Sequence, residues 1–372
     1  MVIKELKMKS IESILQDLIR IRTDDIRVSN DEIVNYITGI LSDNNVVFEI
    51  IKSCNDRKNI VAVFNRDKLC DIEDALLLSG HMDTVGVNEK DWKINPFEGK
   101  SIDGAIYGRG AVDMKYFIAC VLAMIDKLKE CKRAVVLVLT QDEESCVCGI
   151  NDVIEWCGKR NILFRDGIVG EPTNFAIGVA NKGCVGGKIE IIGKSAHASK
   201  QELGINALRI ANEIISKIFE LNDKYLKDRV CFNVGKFVCD NKANVIADFV
   251  SFEWEMRFDD NNKKQVILDE LYEGIEEVKT KYQGCNVICD IEFDMLAFEE
   301  NKKSELIKKI KNEFEIDVKK FDYATEAGFW QKYGVDVVIL GAGDENLAHT
   351  NNEYIKIDEL YRYSEMLLSI VE

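Results

Sequence analysis

The sequence predicts an α/β protein with a smaller α+β domain inserted into it. Three observations carry that prediction. Short β-rich apolar runs alternate with helical patterns in the first half, the order changes to β-α-β-β-α-β from about residue 181, and helix-strand alternation resumes after about residue 296. Residues 60–64, 75–78 and 134–139 read as strands of a largely internal sheet. Between the last two, Phe117, Val121, Met124, Ile125 and Leu128 recur at helical spacing, which predicts an amphipathic helix over 116–130 packed on that sheet. A further apolar strand spans 167–169. The second rhythm is strand 187–192, helix 205–221, strands 230–238 and 244–257, helix 263–281 and strand 285–293. That order matches the split βαβ, ferredoxin-like unit, whose neighbouring ends let it be inserted whole. The tail, with helices 304–314, 325–333 and 357–370 and strand 335–340, is expected to complete the first sheet.

Length and charge bound the function. A chain of 372 residues is long enough for two or three domains with separate cores. With 49 basic against 65 acidic residues, net charge -16, it has no field to collect nucleic acid or anionic lipid. Residues 1–22 mix charges with apolar residues at helical spacing and lack a signal-peptide h-region, so a cytoplasmic protein is expected. The 12 cysteines are scattered and read as mostly reduced, buried thiols. Cys146 and Cys148, just beyond an acidic motif, could be redox-sensitive or serve as accessory ligands.

The three histidines sit in Ser79-Gly80-His81-Met82-Asp83-Thr84, Ser195-Ala196-His197-Ala198-Ser199 and Asn346-Leu347-Ala348-His349-Thr350. His81 and Asp83 end a strand and point to one side, so one can ligate a metal while the other accepts the imidazole's second N–H. Asp113 lies in Tyr107-Gly108-Arg109-Gly110-Ala111-Val112-Asp113-Met114-Lys115, directly before the helix. Helix capping would explain it, while its glycines also permit the close approach that lets one carboxylate bridge two cations. Gln141-Asp142-Glu143-Glu144-Ser145 puts three consecutive acids at a strand's C-terminal edge, where open α/β sheets hold ligands. Such acids repel unless a cation compensates, although a solvated loop is an ordinary alternative. Adjacent Glu143 and Glu144 cannot face one point, which suits one ligand and one general base. Pro172 holds Glu171 extended toward the same edge, and His349 follows strand 335–340. Two histidines, two glutamates and one aspartate then suffice for two metals sharing a bridge. His197, without an acidic neighbour in sequence, suits hydrogen bonding to a substrate oxygen better than ligation; a capping or core role is the bland alternative.

Taken in order, these segments resemble the M20 family of zinc-dependent hydrolases over essentially the whole chain. The resemblance implies a mixed-sheet zinc-hydrolase catalytic domain of residues 1–179 and 295–372, with an inserted lid and dimerisation domain of residues 180–294. It implies two Zn2+ per subunit, with Co2+ or Mn2+ as alternatives: His81 and Glu171 on one ion, Glu144 and His349 on the other, and Asp113 between them. Glu143 would be the general base and Asp83 would stand behind His81. In the family a histidine of the small domain reaches the other subunit's site in a homodimer and stabilises the oxyanion, and His197 matches that position. Arg257 matches an arginine that binds the substrate carboxylate, and Asn244 would add a polar contact.

The segments 323–327, 341–343 and 348–354 are most similar to the branch that deacetylates N-acetylornithine. The implied reaction is removal of an N-acyl group from an amino acid, with Glu326 pairing with a distal ammonium; a glutamate at a helix start explains Glu326 equally well. The alternatives are a carboxypeptidase or dipeptidase, succinyl-diaminopimelate desuccinylase or another N-acyl-amino-acid hydrolase, and lastly a non-catalytic binding paralogue. Tyr116 and Ala247 stand where the family commonly has glycine and proline. A small N-acyl amino acid or short peptide is the expected partner, with no nucleic acid and no membrane.

Overall fold

The structure is a computed structural model that describes residues 9–53 and 56–372. The first eight residues of the helical pattern expected over 1–22 lie outside the described residues. Helix Ile11–Arg20 begins where Ser10 caps it, its side chain accepting from the Ser13 N–H. Contacts divide the chain into two compact units. One comprises the described residues through Ala180 with Glu300–Lys320 and Thr325–Glu372; the other comprises Asn181–Glu299 with Phe321–Ala324. The expected boundary between residues 294 and 295 thus lies further along, between Glu299 and Glu300. Asn261 explains part of the difference, because its side chain exchanges two hydrogen bonds with the backbone of Ala297.

The first unit is built on an eight-stranded mixed sheet. Its spatial order is Val47–Lys52, Lys58–Val63, Val135–Thr140, Ile72–His81, Ile162–Val169, Asp336–Ile339, Ile177–Asn181 and Val318–Phe321. Val135–Thr140 is buried at every position, as a strand covered on both faces must be. Ile72–His81 runs parallel to both Val135–Thr140 and Ile162–Val169, and Asp336–Ile339 runs parallel to the last. His81 pairs with Thr140 and Ser79 with Val169, so the segments bearing His81, residues 141–144 and Glu171 all leave the sheet at one edge.

The helical pattern over 116–130 resolves differently from its expected amphipathic form. Two helices, Lys115–Ala123 and Ile125–Glu130, meet at Met124, and every residue from Lys115 through Leu122 is buried. The reason is a third layer: Ile11–Arg20 and Ile357–Val371 both pack against Lys115–Ala123 and cover the side that faces away from the sheet. A small sheet of Lys100–Ile102, Ala105–Tyr107 and Tyr354–Lys356 joins the C-terminal segment to the one preceding Asp113.

The second unit has the ferredoxin-like order. An antiparallel sheet runs Cys231–Val238, Phe249–Phe258, Gly183–Ile192, Asn286–Met295, and helices Ala207–Tyr225 and Asn261–Lys281 pack on it. Residues 244–248, expected at the start of a strand, precede Phe249–Phe258. They pair instead with the 196–198 segment: Ala198 N–H donates to Asn244 O, and Ile246 N–H to Ala196 O.

Cysteine burial is lower than expected. Of the free cysteines described, Cys120, Cys157 and Cys184 are buried, and the larger share are half-buried. Cys146 and Cys148, for which the sequence offers a redox-sensitive or accessory-ligand role, form a disulfide. Val147 between them adopts φ 56°, folding the chain so that the two Cα atoms stand 5.5 Å apart, within disulfide range. Among the described residues, no helix is long and apolar enough to cross a membrane.

Candidate metal centre

Four loops and a strand end bring five side chains together at the C-terminal edge of the first unit's sheet. His81 Nε2 lies 3.0 Å from Asp113 Oδ1 and 3.5 Å from Glu171 Oε1. His349 Nε2 lies 3.1 Å from Asp113 Oδ2 and 3.1 Å from Glu144 Oε2. Each histidine therefore faces a different oxygen of one carboxylate. The ligand atoms of His81, Asp113 and Glu171 lie within 4.8 Å of one another, as do those of Asp113, Glu144 and His349. Cys146 and Cys148 also lie close to a carboxylate, that of Asp142, but their bonded sulfurs are not thiolate ligands.

The contacts around His81 set its tautomer. Its Nδ1 lies 3.0 Å from the backbone carbonyl oxygen of Asp83, so Nδ1–H donates there and Nε2 is the ring nitrogen turned toward Asp113 and Glu171. The Asp83 carboxylate, expected to take that proton, stands 3.6 Å away. It accepts instead from the backbone N–H groups of Glu143, at 3.3 Å, and Glu144, at 3.0 Å. Asp83 thereby holds the backbone of the candidate base and of one candidate ligand. Asp142, next in the chain, is paired with buried Arg57 at 2.9 Å. A cavity of about 170 Å³ lies against these residues, lined by Asp24, Arg57, Asp83, Asp142 and Glu144 among others.

Electrostatics shows how crowded these acids are. Burial pushes Glu143 well above the ordinary carboxylate range, with the charges of Glu171 and Glu144 adding to the rise against His81. Glu171 is raised for the same reasons, burial first and then Asp113. Asp113 is the exception: burial would raise it, but hydrogen bonds from His349 and His81 hold it low. His349 is drawn up to about 10 by its hydrogen bonds to Asp113 and Glu144.

Other residues singled out in the sequence occupy different surroundings. Glu326 is 2% exposed. It accepts from Ser79 Oγ at 3.2 Å, and Ser79 in turn accepts from Trp330 Nε1 at 2.8 Å. Tyr116 is fully buried, and its hydroxyl donates to the Gly170 carbonyl at 2.7 Å, immediately before Glu171. In the second unit His197 is exposed, with Nδ1 2.7 Å from Ser199 Oγ. Asn244 is exposed as well. Arg257 is half-buried rather than free on its strand, donating to Glu255 Oε1 at 2.6 Å and to the Asp322 carbonyl at 3.3 Å.

Sequence reasoning passed over three residues that the fold places around Asp113. Glu353 accepts from Arg109 and from the backbone of the Asp113 loop. Lys115 is 1% exposed and donates to the carbonyls of Leu18 and Ile21 at 3.0 and 2.8 Å. The available signal was position: Arg109 and Lys115 flank Asp113, and Glu353 follows His349 by one helical turn's spacing.

The sequence profile of peptidase family M20/M25/M40 matches residues 77–372. The acetylornithine deacetylase of Buchnera aphidicola subsp. Schizaphis graminum is 28% identical over 367 residues, covering 94% of each chain. Among solved structures, an M20 family metallo-carboxypeptidase from Sulfolobus solfataricus aligns with TM-score 0.78 at 18% identity, over 98% of this chain and 99% of its own. A dinuclear metal binding peptidase from the M20 family of Bacillus subtilis aligns with TM-score 0.65 at 14% identity, over 97% and 96%. The chain belongs to peptidase family M20/M25/M40 and is a hydrolase of amide bonds.

Proposed function

We propose that this chain is a two-metal amidohydrolase that removes an N-acyl group from an amino acid, with N-acetylornithine as its substrate. The observation that carries the reading is Asp113 facing a histidine with each oxygen, each histidine being joined by its own glutamate. The donor set fits a pair of divalent cations: one imidazole and two carboxylates on each side suit zinc, with cobalt or manganese as alternatives. Buried carboxylates that repel one another also call for positive charge. His81 and Glu171 would hold one ion, Glu144 and His349 the other, and Asp113 both. The ions would supply Lewis acidity at the scissile carbonyl and make the attacking water more acidic.

The chain's own residues would do the rest. Glu143 would take the proton from the attacking water and deliver it to the leaving amine. Asp83 would keep Glu143 and Glu144 in place through their N–H groups. In a homodimer, His197 would reach the other subunit's site and donate to the carbonyl oxygen as it becomes anionic, and Arg257 with Asn244 would take the substrate carboxylate. For Arg257 this requires sharing its guanidinium with Glu255. Glu326 would meet a distal ammonium only if that group reached the buried space beside Ser79. Homodimer formation and a cytoplasmic setting belong to the same proposal.

The curated relative's name supports the deacetylase reading, and the carboxypeptidase among the solved structures supports peptide cleavage as the second. Amine release from N-acetylornithine, N-succinyl-diaminopimelate and a dipeptide panel at fixed zinc separates them. Ornithine release fastest from the first is expected; preference for a dipeptide would establish the second reading. Turnover of none would leave a binding paralogue.

A further inference from the structure

We propose that Glu353 is a positioning residue for Asp113, setting the direction of its two oxygens and hence the affinity of the shared metal pair. The inference rests on the two-metal reading of the preceding subsection. Glu353 is fully buried, yet none of its acceptor capacity is directed at the candidate metals. Its Oε1 accepts from the N–H of Val112 at 2.6 Å and of Asp113 at 3.1 Å. Its Oε2 accepts from Arg109 Nη1 at 2.6 Å and from the N–H of Gly110 at 3.2 Å. One carboxylate thus gathers four donors from five consecutive residues, the last of which is Asp113 itself.

Besides Glu353, the loop is held by backbone hydrogen bonds from Arg109 N–H to the Pro96 carbonyl, Ala111 N–H to the Gly108 carbonyl and Lys115 N–H to the Gly110 carbonyl, none of which involves the N–H of Val112 or Asp113. It lies between the strand Ala105–Tyr107 and the helix that begins at Lys115, and three of its N–H groups end on the one side chain. Gly110 adopts φ 85°, a left-handed conformation in which a Cβ would come within 2.8 Å of the Lys115 side chain. Glu353 is itself anchored: its carbonyl accepts from Gly108 N–H at 3.0 Å, and the next three residues pair with Ala105–Tyr107. It also follows His349 by four residues, so its segment spans from one ligand to the backbone of another. A carboxylate is required chemically, because all four partners are donors; an amide would turn one acceptor into an N–H donor facing them.

The test titrates metal-free wild type, Glu353→Gln and Arg109→Met with Co2+ and Zn2+, recording stoichiometry, affinity, the visible Co2+ absorption and the melting temperature without metal. Second-sphere partners typically control metal affinity by about 10- to 100-fold. Glu353→Gln is expected to lose affinity in that range and to alter the Co2+ spectrum in protein that is still folded. Arg109→Met, which removes one donor of four, is expected to lose less. Should Glu353→Gln fail to fold, Arg109→Met decides the matter by the same readouts. Wild-type affinity and spectrum in the folded variants, with only a lower melting temperature, would reduce Glu353 to a structural role and overturn the proposal alone. Wild type that binds no metal pair would overturn the two-metal reading and this proposal together.

Discussion

His81 donates from Nδ1 to the backbone carbonyl of Asp83, 3.0 Å away, while the Asp83 carboxylate turns to the N–H groups of Glu143 and Glu144. One residue thus orients a candidate ligand through its main chain and the loop of the proposed base through its side chain. The two functions can be separated by substitution. Asp83→Asn keeps the carbonyl and replaces one oxygen with an N–H donor that faces an amide proton. We expect the ion held by His81 to bind within about threefold of wild type, whereas the Glu144 side loses about 10- to 100-fold. Titration with Co2+ resolves the two steps, and equal losses in both would show that the carboxylate serves His81 after all.

Glu143 is the proposed proton carrier. Glu143→Gln keeps the shape of the side chain without its basicity, so kcat should fall by about 100- to 10,000-fold while metal content stays at the wild-type level. Steady-state kinetics together with elemental analysis checks this. Turnover within threefold of wild type would remove Glu143 from the mechanism.

The two candidate metal positions differ in access. The side chain of His81 is 1% exposed and that of His349 is 55% exposed. Stepwise chelation should therefore withdraw the ion on Glu144 and His349 first and leave a more slowly released ion on His81 and Glu171. Kinetics of metal release to a chromophoric chelator should be biphasic. His349→Ala should abolish the fast phase and retain the slow one; loss of the slow phase in that variant would reverse the order.

Glu326 makes the stability of the metal-free protein depend on pH. Burial pushes its carboxyl up to about 7 against hydrogen bonds from Thr140 and Ser79, whereas its unperturbed value is 4.5. Across that window the folded state binds the proton that the unfolded chain releases. The contribution is complete below the lower value and is lost as pH rises through about 7. Glu326→Gln removes this dependence, so the variant should gain on wild type between pH 4.5 and pH 8. Urea unfolding of the chelated proteins at both ends gives the comparison, and a constant difference would contradict it.

Much of this arrangement was legible in the chain. The alternating strands and helices, the βαββαβ order and the acids placed just after strands all follow from periodicity and punctuation, which are local properties. His81, Asp113, Glu144, Glu171 and His349 stood out because few residue types ligate metals and they recur after apolar runs. The helical run after Asp113 was misread as amphipathic because its second partner, Ile11–Arg20, lies about a hundred positions away. No window of sequence shows what will cover a helix's outer face.

By itself, then, the sequence determined the layer architecture, the inserted unit and the inventory of candidate metal-ligating side chains, because spacing and residue chemistry suffice for these. Only the tertiary structure decided how Asp113 divides its oxygens between two histidines, that Asp83 serves the Glu143 loop, and that Glu353 holds four donors across 240 to 244 positions. These outcomes depend on which backbone N–H groups find an acceptor after distant segments pack. Every residue except proline carries the same backbone N–H and C=O groups, so which of them pair is settled by the fold.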